Sequence, residues 1–278
     1  MANDEPVEQV LKVPGARLHY EIHGAGPLLV VVGLPMGCKG FSPLTKELTK
    51  YFTVVTFDPR GVLGSPLEDP GQAADPAEMA DDVHRLLATL DAGPAYVFAS
   101  SGGGITALEL MAQHPDQVRA LVTHEPPLLE LLDDREEMRA AIDEICLLYR
   151  DNRPAALQKY LALADIRLHR PAPDPSETDE FTGPEDVWTI LDRLFHHTLR
   201  PITRYRPDFD ALRPLADRIV VAGGSTAEGS LFHRAAVALA ERLGTKTVDF
   251  PGDHTGFLSD SEAFAHLLSE VLTNTRPA

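Results

Sequence analysis

Cysteine is scarce in this chain of 278 residues, with Cys38 and Cys146 as the two present. Two thiols that far apart in sequence build neither a disulfide framework nor a metal knuckle. Basic residues are also few, 25 Lys and Arg against 42 Asp and Glu, for a net charge of −17. That balance excludes binding along a phosphate backbone, which needs clustered cations to displace counterions. Long apolar runs are missing, and the opening MANDEPVEQV is acidic, not a basic start followed by an apolar stretch. Neither a signal peptide nor a membrane span is expected, and the default location is the cytoplasm. No His-Glu-x-x-His, Walker loop or Gly-x-Gly-x-x-Gly occurs; no metal and no cofactor are implied. The expected partner is a small-molecule substrate, with no nucleic acid and no membrane, and a homodimer is compatible with the composition.

Hydrophobic residues make up 44%, enough for a substantial core in one large α/β domain or a domain with an insert. Residues 7–13 and 16–23 alternate around Pro14-Gly15 and predict an antiparallel hairpin. Leu28–Val32 and Phe52–Phe57 are continuous apolar runs suited to strands buried on both faces, with a helix over 41–51 between them. Asp75-Pro76-Ala77-Glu78 combines an N-cap, a first-turn proline and an acidic N3 ahead of a helical face through Leu90. Strands at 96–98, 118–122, 218–222 and 247–250 alternate with helices, including 230–243 and 259–273. Ser259-Asp-Ser-Glu262 reads as a capping box for the last of these. Such alternation predicts a mostly parallel sheet flanked by helices.

Between about 126 and 210 the strands stop. Helical runs are carried by Leu131–Leu148, Leu157–Ala164 and Val187–Phe195, with an acidic, Pro-rich connector at 170–180. This reads as a helical cap inserted into a core formed by residues 1–125 and 211–278.

The most informative stretch is AYVFASSGGGITALELMAQHP at 95–115. An apolar strand runs into a serine among small residues and a helix starts at once, the pattern of a nucleophile elbow. The tight turn requires small residues two places either side of the nucleophile. Ser101 has Ala99 and Gly103 there, whereas Ser100 would have Phe98. Ser101 is therefore the expected nucleophile.

With that serine, the Phe250-Pro251-Gly252-Asp253-His254 turn and the strand order, the chain resembles the α/β-hydrolase fold superfamily over roughly residues 7–273. The resemblance implies a nucleophile, acid, histidine order along the chain, with His254 as general base. It implies an oxyanion hole from the backbone N–H groups of Gly102 and of Leu34, in Val32-Gly33-Leu34-Pro35 where relatives carry His-Gly-x-Pro. The usual acid position after the strand at 218–222 holds Thr226, which cannot carry a negative charge. Glu125, in Thr123-His124-Glu125-Pro126-Pro127, and Glu228 are the alternatives, with Glu125 ahead. Asp58-Pro59-Arg60-Gly61 resembles a structural turn of the family. Met36, Cys38 and Trp188 are expected to line the pocket, and His196, His197, Arg204 and Tyr205 are within the cap's reach of substrate. The implied activity is a serine hydrolase of a carboxylic ester, thioester or lactone through an acyl-enzyme. The alternative is non-hydrolytic chemistry, a lyase, cyclisation or isomerisation, in the same pocket.

Overall fold

The structure is a computed structural model and describes residues 6–166 and 184–275; the connector at 170–180 lies outside them. Eight strands form one sheet in the order β1-β2-β4-β3-β5-β6-β7-β8. β1 (Val7–Val13) and β2 (Ala16–His23) form the expected hairpin, antiparallel and closed by Gly15 at φ 73°. β2 then pairs antiparallel with β4 (Thr53–Phe57). β3 (Leu28–Val32), β4, β5 (Ala95–Ser100), β6 (Val118–His124), β7 (Ile219–Gly224) and β8 (Val248–Phe250) are mutually parallel.

The central strands are buried on both faces because helices cover both. α1 (Ser42–Leu48) and α11 (Ser261–Asn274) pack Leu44, Leu48, Phe264 and Leu268 on one face, against Leu29, Val31 and Phe98. α2 (Pro76–Leu90), α3 (Gly102–Gln113) and α9 (Leu231–Leu243) pack Val83, Leu86, Leu108, Ala236 and Leu239 on the other, against Val30, Val97 and Leu121. Alternate residues of each strand thus serve opposite cores.

The Asp75 cap forms as expected, its carboxylate accepting from Ala77 N at 2.9 Å. The capping box at the last helix does not. Residues Gly256–Ser259 make their own short helix, α10, and α11 begins only at Ser261, after Asp260. Ser259 Oγ donates to Asp260 Oδ2 instead of accepting from a helix N–H. The preceding glycine turn, with Gly252 at φ 82°, starts a helical turn earlier than the sequence pattern implied.

Between β6 and β7 the described residues are helical: α4 (Arg135–Asp151), α5 (Arg153–Ala164), α6 (Pro184–Arg193), a π-helical segment Leu194–Thr198, α7 (Leu199–Thr203) and α8 (Phe209–Leu212). Ile142, Ile145, Tyr149, Tyr160, Phe195 and Leu199 give this insertion its own apolar cluster, joined to the core through Leu231 and Phe232. Arg193 Nη1 also donates to Gln72 O at 2.6 Å.

Candidate active site

The carboxyl end of β5 turns into α3 at Ser101, whose φ of 54° and ψ of −128° lie outside the regions open to L-residues without strain. Ser100 is instead the last residue of β5 and 3% exposed. The surroundings hold the turn in place. Ser101 N donates to His124 O on β6 at 2.9 Å. A Cβ on Gly103 would come within 2.1 Å of the Val32 carbonyl oxygen, and one on Gly104 within 2.6 Å of Thr123 Oγ1. Glycine at these two positions lets α3 begin against the backbone at the end of β3 and the Thr123 side chain near the end of β6. That contact sets the Val32-Gly33-Leu34 turn against Gly102, with Leu34 Cδ2 2.9 Å from where a Gly102 Cβ would stand. Gly102 is the first residue of α3, so its N–H is one of the donors a helix leaves unpaired.

β6 runs two residues beyond its expected end, to His124, and so carries Glu125 to the edge of the sheet. Glu125 has φ 46° and is 0% exposed. Its N–H donates to Ala222 O on β7, and its Oε1 accepts from Gly224 N at 2.9 Å. Its Oε2 is 2.7 Å from His254 Nδ1. An ionised carboxylate only accepts, so Nδ1 carries the proton and Nε2 is left as the basic nitrogen. Burial pushes the Glu125 carboxyl up, but the His254 hydrogen bond, the neighbouring imidazoles and Gly224 N–H outweigh it and hold the pKa below the usual value.

His254 follows β8 on a loop that lies directly over β7. A Cβ on Gly224 would be 2.8 Å from Asp253 Cα, so only glycine permits that approach. The imidazole packs against the Phe232 ring, with 4.9 Å between centroids. Ser101, Glu125 and His254 thus come from the carboxyl ends of β5, β6 and β8, linked through His124 and Gly224.

Glu228 is exposed and does not join this group. It lines a cleft of about 400 Å³ with Met138, Asp165 and Arg234, which contains none of the three. Thr226, in the usual acid position, is exposed and spends its N–H on Gly252 O. Of the expected pocket residues, Met36 folds back over Gly40, and Trp188 is 37% exposed on α6. The Cys38 thiol turns toward His19 Nδ1, 3.9 Å away. Arg204 is paired with Asp143, Tyr205 donates to Glu109, and His196 packs edge-on to Tyr149. These three contacts engage the residues structurally. The insertion residue at the elbow is one the sequence did not single out: Ile202 Cδ1 on α7 lies 3.1 Å from the would-be Gly102 Cβ. It reads as an ordinary core position, and only packing shows what it covers. Arg60 forms the expected lock, its Nε and Nη2 each donating to Asp82 at 2.6 Å.

His124 is 0% exposed among Phe250, Phe257 and Phe264, and neither ring nitrogen has a hydrogen-bond partner among the described residues. Burial presses its pKa down to about 4. An unfolded chain would bind that proton near pH 6.5, so between about pH 6.5 and 4 the unfolded state holds more protons and stability falls with acid. Glu125, its folded pKa depressed, adds a loss in the same direction below its unfolded value. A His124→Phe variant fits the aromatic surroundings and lacks the first effect. Urea unfolding at pH 7 and pH 4.5 is expected to show wild type losing about 2–3 kcal/mol more than the variant over that interval. Equal losses would mean that His124 is not buried neutral.

A mostly parallel sheet with a strained serine elbow at one strand end and an acid–histidine pair at its neighbours defines a protein of the hydrolase type. Residues 26–150 match the model of the alpha/beta hydrolase fold family. The chain is 34% identical over 270 residues to the "uncharacterized hydrolase YraK" of Bacillus subtilis (strain 168), covering 94% of both. Among solved structures it resembles the esterase EaEST from Exiguobacterium antarcticum, at a TM-score of 0.73 and 19% identity, covering 95% of this chain and 98% of that one. It also resembles Est816, an N-acyl homoserine lactone degrading enzyme, at a TM-score of 0.65 and 18% identity, covering 94% and 99%. The chain belongs to the α/β-hydrolase superfamily and is an enzyme of the hydrolase class. No helix among the described residues is long and apolar enough to cross a membrane.

Proposed function

We propose that the protein hydrolyses a small-molecule carboxylic ester, thioester or lactone through an acyl-enzyme on Ser101. The observation that carries this reading is the 2.7 Å contact between His254 Nδ1 and the fully buried Glu125, which follows β6, the strand next to the one that leads into Ser101. A neutral hydroxyl is a poor nucleophile and needs a base. His254 Nε2 takes the Ser101 Oγ proton as Oγ attacks the carbonyl carbon, and the carbonyl electron pair moves onto oxygen. Glu125 holds the ring in the required tautomer and balances the imidazolium. The N–H groups of Leu34 and Gly102 receive the oxyanion. On collapse the leaving oxygen or sulfur takes the proton from His254, and water attacks the acyl-serine by the same route in reverse.

The helical insertion acts as a cap in this scheme. Ile202 and Leu34 place apolar surface beside the oxyanion donors, which favours an acyl group over a charged one at that point. The likeness to an esterase and to a lactone-degrading enzyme supports the substrate class through shared fold only.

A serine-directed fluorophosphonate tests the mechanism. One equivalent is expected to add to the wild-type chain, with the adduct on the peptide containing Ser101 by mass spectrometry. Labelling at another serine, or none at full probe excess, would overturn the proposal. The second would favour non-hydrolytic use of His254 as a base.

A further inference from the structure

Away from the triad, three side chains with metal-binding atoms meet beneath the turn that carries Leu34. His19 lies on β2, Asp58 directly follows β4, and Cys38 opens the 3-10 turn four residues after Leu34. Cys38 Sγ is 3.9 Å from His19 Nδ1, which is 3.5 Å from Asp58 Oδ2, and the three atoms lie within 4.8 Å of one another. Tetrahedral zinc, with bonds of about 2.0–2.3 Å, sets ligand atoms roughly 3.3–3.6 Å apart. The His19–Asp58 separation falls in that range, and the Cys38–His19 separation exceeds it by a few tenths of an ångström.

The backbone holds this arrangement firmly. Asp58 N donates to His19 O at 2.9 Å, and Asp58 accepts from Cys38 N and Gly64 N, each at 2.9 Å. A Cβ on Gly37 would fall 2.0 Å from Asp58 Oδ1, so the close approach depends on glycine. Cys38 and Asp58 are 3% and 5% exposed, whereas the His19 ring is partly open to solvent and offers an entry path.

Two further observations point to a cation. Asp58 is buried without an Arg or Lys ion pair among the described residues, because nearby Arg60 is committed to Asp82 and Glu78. His19 also turns its second nitrogen, Nε2, toward the Glu8 carboxylate 3.7 Å away. A carboxylate behind the outer nitrogen is the arrangement that orients metal-ligating imidazoles.

We propose that Cys38, His19 and Asp58 form a binding site for a thiophilic divalent transition metal of the zinc type, with solvent completing the tetrahedron and Glu8 orienting His19. Binding exchanges the Cys38 S–H bond for a sulfur–metal bond, and the proton leaves to solvent. The bound ion ties β2 and the end of β4 to the segment that follows the oxyanion turn, apart from the reacting groups.

Cobalt(II) reports the site directly, because a thiolate ligand gives a sulfur-to-cobalt charge-transfer band and tetrahedral geometry gives intense visible bands. The full chain, stripped with a chelator, is expected to take up one equivalent of Co²⁺ with both signals, and Zn²⁺ is expected to bleach them. Glu8→Gln, an exposed change, is expected to weaken binding about 10-fold, and Cys38→Ser to abolish the charge-transfer band. Cys146→Ser, in α4, is expected to leave the spectrum unchanged. Absence of the charge-transfer band in the wild-type protein would overturn the proposal without recourse to any variant. So would a band that disappears in Cys146→Ser and persists in Cys38→Ser.

Discussion

Ser101→Ala is expected to lower kcat for a p-nitrophenyl ester by on the order of 10⁵–10⁶-fold while leaving the fold intact. The loss is large because it removes the reacting atom, and no other hydroxyl can take its place. Ser100 is the adjacent candidate, but it ends β5 as a buried strand residue and lacks the left-handed backbone that turns a side chain out over the sheet edge. The methyl of alanine occupies the Cβ position already present, so packing does not change. The strain at φ 54° remains in the variant, because alanine has the same steric limits there as serine. Far-UV circular dichroism and thermal unfolding are therefore expected to match wild type. Residual rate above water would come from the Leu34 and Gly102 donors and from binding. Retention of more than a small fraction of wild-type kcat in Ser101→Ala would exclude an acyl-enzyme on this residue.

The second large effect is expected at Glu125. Glu125→Gln preserves size and the Gly224 contact but presents an amide to His254. Where the amide NH₂ faces Nδ1 it donates, so the ring must carry its proton on Nε2 and can no longer accept one from Ser101. A drop of roughly 10⁴-fold in kcat follows from the wrong tautomer together with the loss of the balancing charge. Glu228→Gln is expected to leave kcat unchanged, since Glu228 is exposed on the rim of a separate cleft. A loss at Glu228 equal to that at Glu125 would overturn the assignment of the acid. Substantial activity in Glu125→Gln would leave a serine–histidine dyad.

These two carboxylates show how far the sequence could be read. The elbow was legible because its requirements are local: small residues at Ala99 and Gly103, an apolar strand before them and a helix after. The loop with His254 was legible through its position after the last strand. The sequence put Glu125 ahead of Glu228, but the contact of Glu125 with His254 rests on two facts that are not local. β6 extends to His124, and Gly224, two residues before the usual acid position, donates its N–H to the Glu125 carboxylate. The 225–227 turn commits its backbone to Phe250, Gly252 and Gly224, which carries Glu228 away. The His19–Cys38–Asp58 trio left no trace in the spacing at all, since its members come from three separate elements.

From sequence alone follow the parallel sheet with helices on both faces, the helical insertion after β6 and the serine at the elbow. Apolar runs, turn residues and caps act over a few positions, so they are written in the order of the chain. Tertiary structure alone decided which carboxylate meets His254, which insertion residue covers the elbow, and which distant side chains share a buried polar site. Those depend on strand register and on backbone approaches that glycine allows, as at Gly224 and Gly37. Register and close approach are properties of neighbours in space, and the order of residues does not name them.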